Sequence, residues 1–133
     1  MFSNTPILIV EDNVFLALDL SQAIEEMNGR IVGPTALVSE ALDLLQSRSV
    51  GGAIVDGSLA DQEIGALTER LARHQVPFVL HAASELPASL TRRHATVPVL
   101  RKPVESRLVL ACLLTEIAKS GPRAESGPAV AVP

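Results

Sequence analysis

The chain has 133 residues, room for one domain with one core; 47% of them are apolar but only 2% aromatic, with neither Trp nor Tyr. The core must therefore be aliphatic. Stacking on nucleobases is not on offer, and a net charge of -4 weighs further against a nucleic-acid partner. The lone cysteine, Cys112, excludes an internal disulfide and a cysteine-based metal site. Residues 1–6 hold neither a basic segment nor a long apolar one, so no membrane span and a cytoplasmic location are expected.

Ile7-Leu8-Ile9-Val10 is an aliphatic run of the kind buried on both faces of a parallel sheet, and it stops on the acidic pair Glu11-Asp12. Residues 14–27 carry Leu16, Leu20, Ala23, Ile24 and Met27 at the spacing of one helical face, with Asn28-Gly29 as a stop. Arg30-Ile31-Val32-Gly33-Pro34 is a short strand whose proline cannot donate to a ladder, which suits a sheet edge. A second helix places Val38, Ala41, Leu42 and Leu45 on one side. Gly52-Ala53-Ile54-Val55-Asp56 is a third strand, and it too stops on a carboxylate. After the polar loop at 60–63, a third helix turns Ile64, Leu67 and Leu71 inward and ends near His74. Phe78-Val79-Leu80-His81 is the fourth strand, and residues 88–94 form a short, weakly patterned helix. Val97-Pro98-Val99-Leu100 is a second proline-bearing edge strand, ending at Arg101-Lys102-Pro103, and a last helix spans about 105–119. From Ser120 onward Gly, Pro, Ala and Ser dominate, so 1–119 is read as the folded domain and 120–133 as a disordered tail.

Strands alternating five times with amphipathic helices over short loops call for a doubly wound α/β domain, a parallel sheet with helices on both faces. Putting the two proline-bearing strands at the edges gives the flavodoxin-like order 2-1-3-4-5. The first and third strands then adjoin at the switch point, so Glu11, Asp12 and Asp56 converge on one carboxyl edge. Three carboxylates that close repel one another, and a divalent cation relieves the conflict. All-oxygen donors suit Mg²⁺ better than Zn²⁺, which prefers His or Cys. Lys102, at the end of the fifth strand, brings a compact positive charge to the same edge. A carboxylate between two cations is poised to attack phosphorus.

Val10-Glu11-Asp12-Asn13, Ile54-Val55-Asp56 and Arg101-Lys102-Pro103, in that order and separation, resemble the receiver domain of two-component response regulators across about residues 6–119. The resemblance implies a single-domain response regulator with Asp56 as phosphoacceptor, Lys102 as the phosphoryl-binding lysine, and Mg²⁺ held directly by Asp12, through water by Glu11, and further by Asp56 and the main-chain carbonyl of Ser58. It further implies a histidine kinase or histidine phosphotransfer protein as donor, and a signal passed on by protein contact rather than by enzymatic turnover. Two switch positions depart from the pattern. Ala82 stands where receivers usually carry Thr or Ser, and Val99 where many have Tyr or Phe. Ser84 offers a hydroxyl two residues late. A receiver-like module that binds partners without phosphorylation is the alternative these departures favour.

A small Mg²⁺-dependent phosphohydrolase is disfavoured, because Ser58 replaces the acid expected two residues after its aspartate and no Gly-rich phosphate loop is evident. Plainer roles remain open too. Glu11 or Asp12 suits a helix cap, Asp56 a turn before Gly57, and Pro103 the first position of a helix. His74, His81 and His94 lack metal-ligand spacing; His81, beside the missing hydroxyl, is the one of interest. The last helix carries Leu108, Val109, Leu110, Cys112, Leu113, Leu114 and Ile117, more apolar residues than one stripe needs, which points either to a broad core contact or to a homodimer through that helix.

Overall fold

The computed structural model describes residues 1–62 and 64–120. The tail expected from Ser120 lies, from 121 onward, outside the described residues, and so does Glu63 of the polar loop. Five parallel strands, β1 (Pro6–Val10), β2 (Arg30–Thr35), β3 (Gly52–Asp56), β4 (Phe78–Ala82) and β5 (Val99–Arg101), form one sheet in the order β2-β1-β3-β4-β5. The expected topology holds, edges included. The fifth strand is shorter than its apolar run and starts after Pro98. Pro98 accepts from the Leu80 amide at 2.9 Å but has no N–H to return, so the ladder begins one residue later.

Among the described residues four α-helices lie between the strands, α1 (Val14–Glu26), α2 (Val38–Ser47), α3 (Ile64–Arg73) and α4 (Ala88–Arg93), and a fifth, α5 (Ser106–Lys119), follows β5. Ser120 caps the last of them. Strand alternation divides the core in two. Leu8, Val10, Ala53, Val55, Phe78 and Leu80 face α2 and α3, while Ile7, Ile9, Ile54 and Val79 face α1 and α5. Each Val, Leu, Ile or Phe among them stabilises the fold by about 1.5–3 kcal/mol relative to exposure. The helix stop after α1 is a division of labour. Asn28 takes the left-handed conformation with φ 64°, and Gly29 must stay bare because a Cβ there would meet Ile24 Cγ2 at 2.7 Å.

The surplus of apolar residues on α5 is mostly absorbed by the core. Val109, Leu110 and Leu113 are buried, Cys112, Leu114 and Ile117 pack partly buried beside them, and Leu108 is exposed. The more exposed apolar face is on α1, where Val14, Phe15 and Leu18 are 67%, 83% and 60% accessible. A reading that counts only the inward stripe overlooks it.

Candidate functional site

β1 and β3 are neighbours, with Val10 opposite Val55, so both chains leave the sheet together and bring Glu11, Asp12 and Asp56 to one edge. One oxygen from each of the three carboxylates lies within 4.8 Å of the others. Glu11 and Asp56 are buried and Asp12 is exposed. The capping role open to the two acids is taken instead by Asn13, whose side-chain oxygen accepts from the Leu16 amide at 3.1 Å. That leaves Asp12 free to face the cluster, while Glu11 Oε2 accepts the Asn13 amide at 3.0 Å and the Lys102 ammonium at 3.3 Å.

Lys102 arrives from the other side. Its amide donates to the Ala82 carbonyl at 2.8 Å, continuing the β4–β5 pairing one step past β5 and setting the side chain at the same edge. Nζ then lies 3.2 Å from Glu11 Oε1, 3.3 Å from Glu11 Oε2 and 3.2 Å from Asp56 Oδ1. Pro103 is not the first residue of α5, because Glu105 is the N-cap. Asp56 does hold the turn that follows it. The Ser58 amide donates to Oδ1 at 2.9 Å and the Ser58 hydroxyl to Oδ2 at 2.8 Å, opening a 3-10 turn over Gly57–Gln62. That hydroxyl was not anticipated from sequence; a serine two residues after a strand-ending aspartate is the signal that would have found it.

The two buried acids divide one proton between them. Burial, then the hydrogen bond shared with Asp56, push Glu11 up to about 7, while the Asn13 amide and Lys102 pull the other way. Burial also acts to raise Asp56, but it is outweighed by hydrogen bonds from Glu11, from the Ser58 amide and hydroxyl and from Asp12, which hold it at about 2. Lys102 sits as close to Glu11 as to Asp56, and its charge draws Glu11 back towards the ionised form without undoing the effect of burial. The result is an ionised carboxylate, shielded from water, with its charge held in place.

These donors fit a hard divalent cation. All three side chains offer oxygen, and buried Glu11 Oε1, though 3.2 Å from Lys102 Nζ, completes no hydrogen bond, so it keeps a lone pair for a ligand. The far end of the site is apolar. Ala82 is buried; a Cβ on Gly57 would lie 3.0 Å from the Ala82 Cβ and 2.4 Å from Leu86 Cδ2, so β4 ends against hydrocarbon. Val99 and Ser84 are exposed. His81 lies in register with Asp56 and is 1% accessible, and burial first, then the charge of Lys102, lower its imidazole below the ordinary value against the pull of Asp56. His94 packs edge-on against Phe78, and neither it nor His74 joins the cluster.

No protein-family model matches the sequence, and no curated protein matches it. Solved structures do. A CheY-like response regulator receiver domain from Methanospirillum hungatei superposes with a TM-score of 0.75 at 18% identity, over 88% of this chain and 96% of that one. A Burkholderia pseudomallei response regulator with a phosphorylated aspartic acid and a calcium ion superposes at 0.70 with 16% identity, over 87% and 70%. The receiver domain of a Pseudomonas aeruginosa sensor histidine kinase, with magnesium in its active-site cleft, does so at 0.70 with 20% identity, over 86% and 98%. The chain has the fold of response regulator receiver domains.

Proposed function

We propose that the chain is a phosphoryl-accepting module of a two-component system, a signalling protein and not a turnover enzyme. The observation that carries this reading is the ionised, buried Asp56 held 3.2 Å from Lys102 Nζ in a cluster with two further carboxylates. Asp56 Oδ forms the new O–P bond as the N–P bond of a donor phosphohistidine breaks, and the electron pair returns to the donor imidazole. Lys102 offsets the charge that builds on the phosphoryl oxygens. Glu11, Asp12, Asp56 and the Ser58 main-chain carbonyl would hold Mg²⁺, which would supply further charge neutralisation for the phosphoryl oxygens. The Ser58 hydroxyl must leave Asp56 Oδ2 for that oxygen to react. The donor is a histidine kinase or a histidine phosphotransfer protein, and exposed Val14, Phe15 and Leu18 on α1, beside Asp12, give it an apolar surface to dock on. Exposed Leu108 supports a homodimer through α5 less strongly than the sequence suggested. Among the described residues no helix is long and apolar enough to cross a membrane, in keeping with a cytoplasmic site of action.

Incubation with Mg²⁺ and acetyl phosphate is expected to add one phosphoryl group by intact mass, and Asp56→Asn to abolish it. A wild-type protein that stays unmodified would overturn the reading. It would leave the phosphorylation-independent interaction module, which Ala82 at the end of β4 and Val99 at the start of β5 favour.

A further inference from the structure

His81 is the anomaly in the site. It sits on β4 directly opposite Asp56, and strand alternation turns it to the α1 and α5 side of the sheet, as it does Asp56. The side chain is 1% accessible, and neither ring nitrogen has a hydrogen-bond partner. The charges of Lys102 and Asp56 both bear on the ring, Lys102 more strongly. Val79 and Leu80 immediately before it are aliphatic, and a valine here would continue the strand with no polar atom to satisfy. Orphaning buried polar atoms costs about 1–3 kcal/mol, so a residue that does so in one state of the protein is expected to find its partner in another.

Lys102 is the donor at hand. Its ammonium is shared between Glu11 and Asp56, at 3.2–3.3 Å from three of their oxygens. Once Asp56 carries a phosphoryl group and Glu11 turns to a cation, those contacts are given up or stretched, and the ammonium needs a new anchor. We infer that His81 is a positioning residue for Lys102: its neutral imidazole accepts one ammonium N–H and leaves the others aimed at the phosphoryl oxygens. The inference rests on the phosphoacceptor reading of Asp56. It gives the site a fixed point where Ala82 supplies no hydroxyl. Burial of the ring, which favours its neutral form, keeps a lone pair free for that contact.

Two measurements test it. His81→Val is expected to fold with a urea midpoint at or above wild type, since it removes two orphaned atoms, yet to be phosphorylated by acetyl phosphate at least about tenfold more slowly, the loss of one hydrogen bond to a charged group. His81→Gln, which restores an acceptor, is expected to recover most of that rate. A His81→Val protein labelled at the wild-type rate overturns the proposal. The second measurement follows the ring nitrogens of His81 by ¹⁵N NMR in the wild type and in Lys102→Met. Addition of Mg²⁺, alone or with beryllofluoride, is expected to move them in the wild type and not in the variant; ring signals indifferent to these additions overturn the contact even if His81→Val fails to fold. Should the wild type take no phosphoryl group, the phosphoacceptor reading falls by itself, and the response to Mg²⁺ alone still decides whether His81 meets Lys102.

Discussion

The two halves of the sheet's carboxyl edge are built on opposite principles. At the ends of β1 and β3, Glu11, Asp12, Asp56 and Ser58 crowd oxygen atoms together, buried charge is tolerated, and Lys102 reaches across to offset it. At the end of β4, Ala82 and Leu86 both close on Gly57, and Val99, the first residue of β5 and level with Leu80, stands 41% exposed with nothing aromatic to bury. Holding charge and reporting a change of charge are therefore separable tasks on this fold. The first half has what phosphoryl chemistry asks for. The second has neither a hydroxyl at 82 nor a ring at 99, the two groups that the resemblance to receiver domains leads one to expect there.

The strongest way to break the comparison is to empty the charged half. Asp56→Asn is expected to remove acetyl phosphate labelling altogether, read by intact mass. Lys102→Met comes next. Labelling falls by about a hundredfold or more, the scale of losing one preorganised electrostatic group at the reacting atoms. The fold also loses up to about 3–5 kcal/mol at neutral pH, because buried carboxylates are left without their counter-charge. Glu11 relieves part of that by taking up a proton, so urea melts of the variant should show a smaller loss at pH 5 than at pH 8.

Proton and metal compete for the same oxygens, which sharpens the contrast further. In EDTA, Glu11 is raised from 4.5 to about 7 by folding, so its contribution is fully present below pH 4.5 and is lost as pH rises through about 7. Asp56 is lowered from 3.8 to about 2, so its contribution is present above 3.8 and is lost as pH falls towards 2. Stability of the metal-free protein should therefore be greatest in mildly acid solution and decline towards pH 8 by on the order of a few kcal/mol, with Glu11→Gln flattening the decline. Mg²⁺ should reverse it by about 2.7 kcal/mol at a hundredfold excess over Kd, raising Tm at pH 8, and Asp12→Ala should remove that gain.

The charged half was legible in the sequence because its signals are abrupt. Two aliphatic runs stop on carboxylates at Glu11 and Asp56, and prolines at 34 and 98 assign the edges, which fixes the strand order and brings the acids together. The same Pro98 concealed where β5 begins, since a residue that accepts without donating looks like strand in composition but not in pairing. Asp12 and Asn13 are both capping types; the hydrogen bond from the Leu16 amide to the Asn13 side chain selects between them. The exposed face of α1 was missed and that of α5 overestimated for one reason. Apolar count is visible in a sequence, whereas how far a helix is sunk between its neighbours is a property of packing.

The smallest effects are expected where the apolar half is rebuilt. Ala82→Thr returns a hydroxyl to a position already crowded by Leu86 and by the close approach of Gly57, so its cost and its gain both stay near about 1 kcal/mol. On its own it should leave the rate of labelling within about threefold of wild type, because the groups proposed to meet phosphorus, Asp56 and Lys102, are untouched. Val99→Tyr alone adds a ring to an exposed position and gives it no signal to follow. The two together restore a hydroxyl that can be drawn towards the phosphoryl group and an aromatic that can fill the space the moving loop vacates. Amide shifts on adding Mg²⁺ and beryllofluoride are the readout. In the wild type they should be confined to the ends of β1 and β3 and the turn after Asp56; in the double variant they should extend to α4 and β5. Wild-type shifts that already reach α4 and β5 would show that the two halves are coupled by another route, one in which neither a hydroxyl at 82 nor a ring at 99 is required.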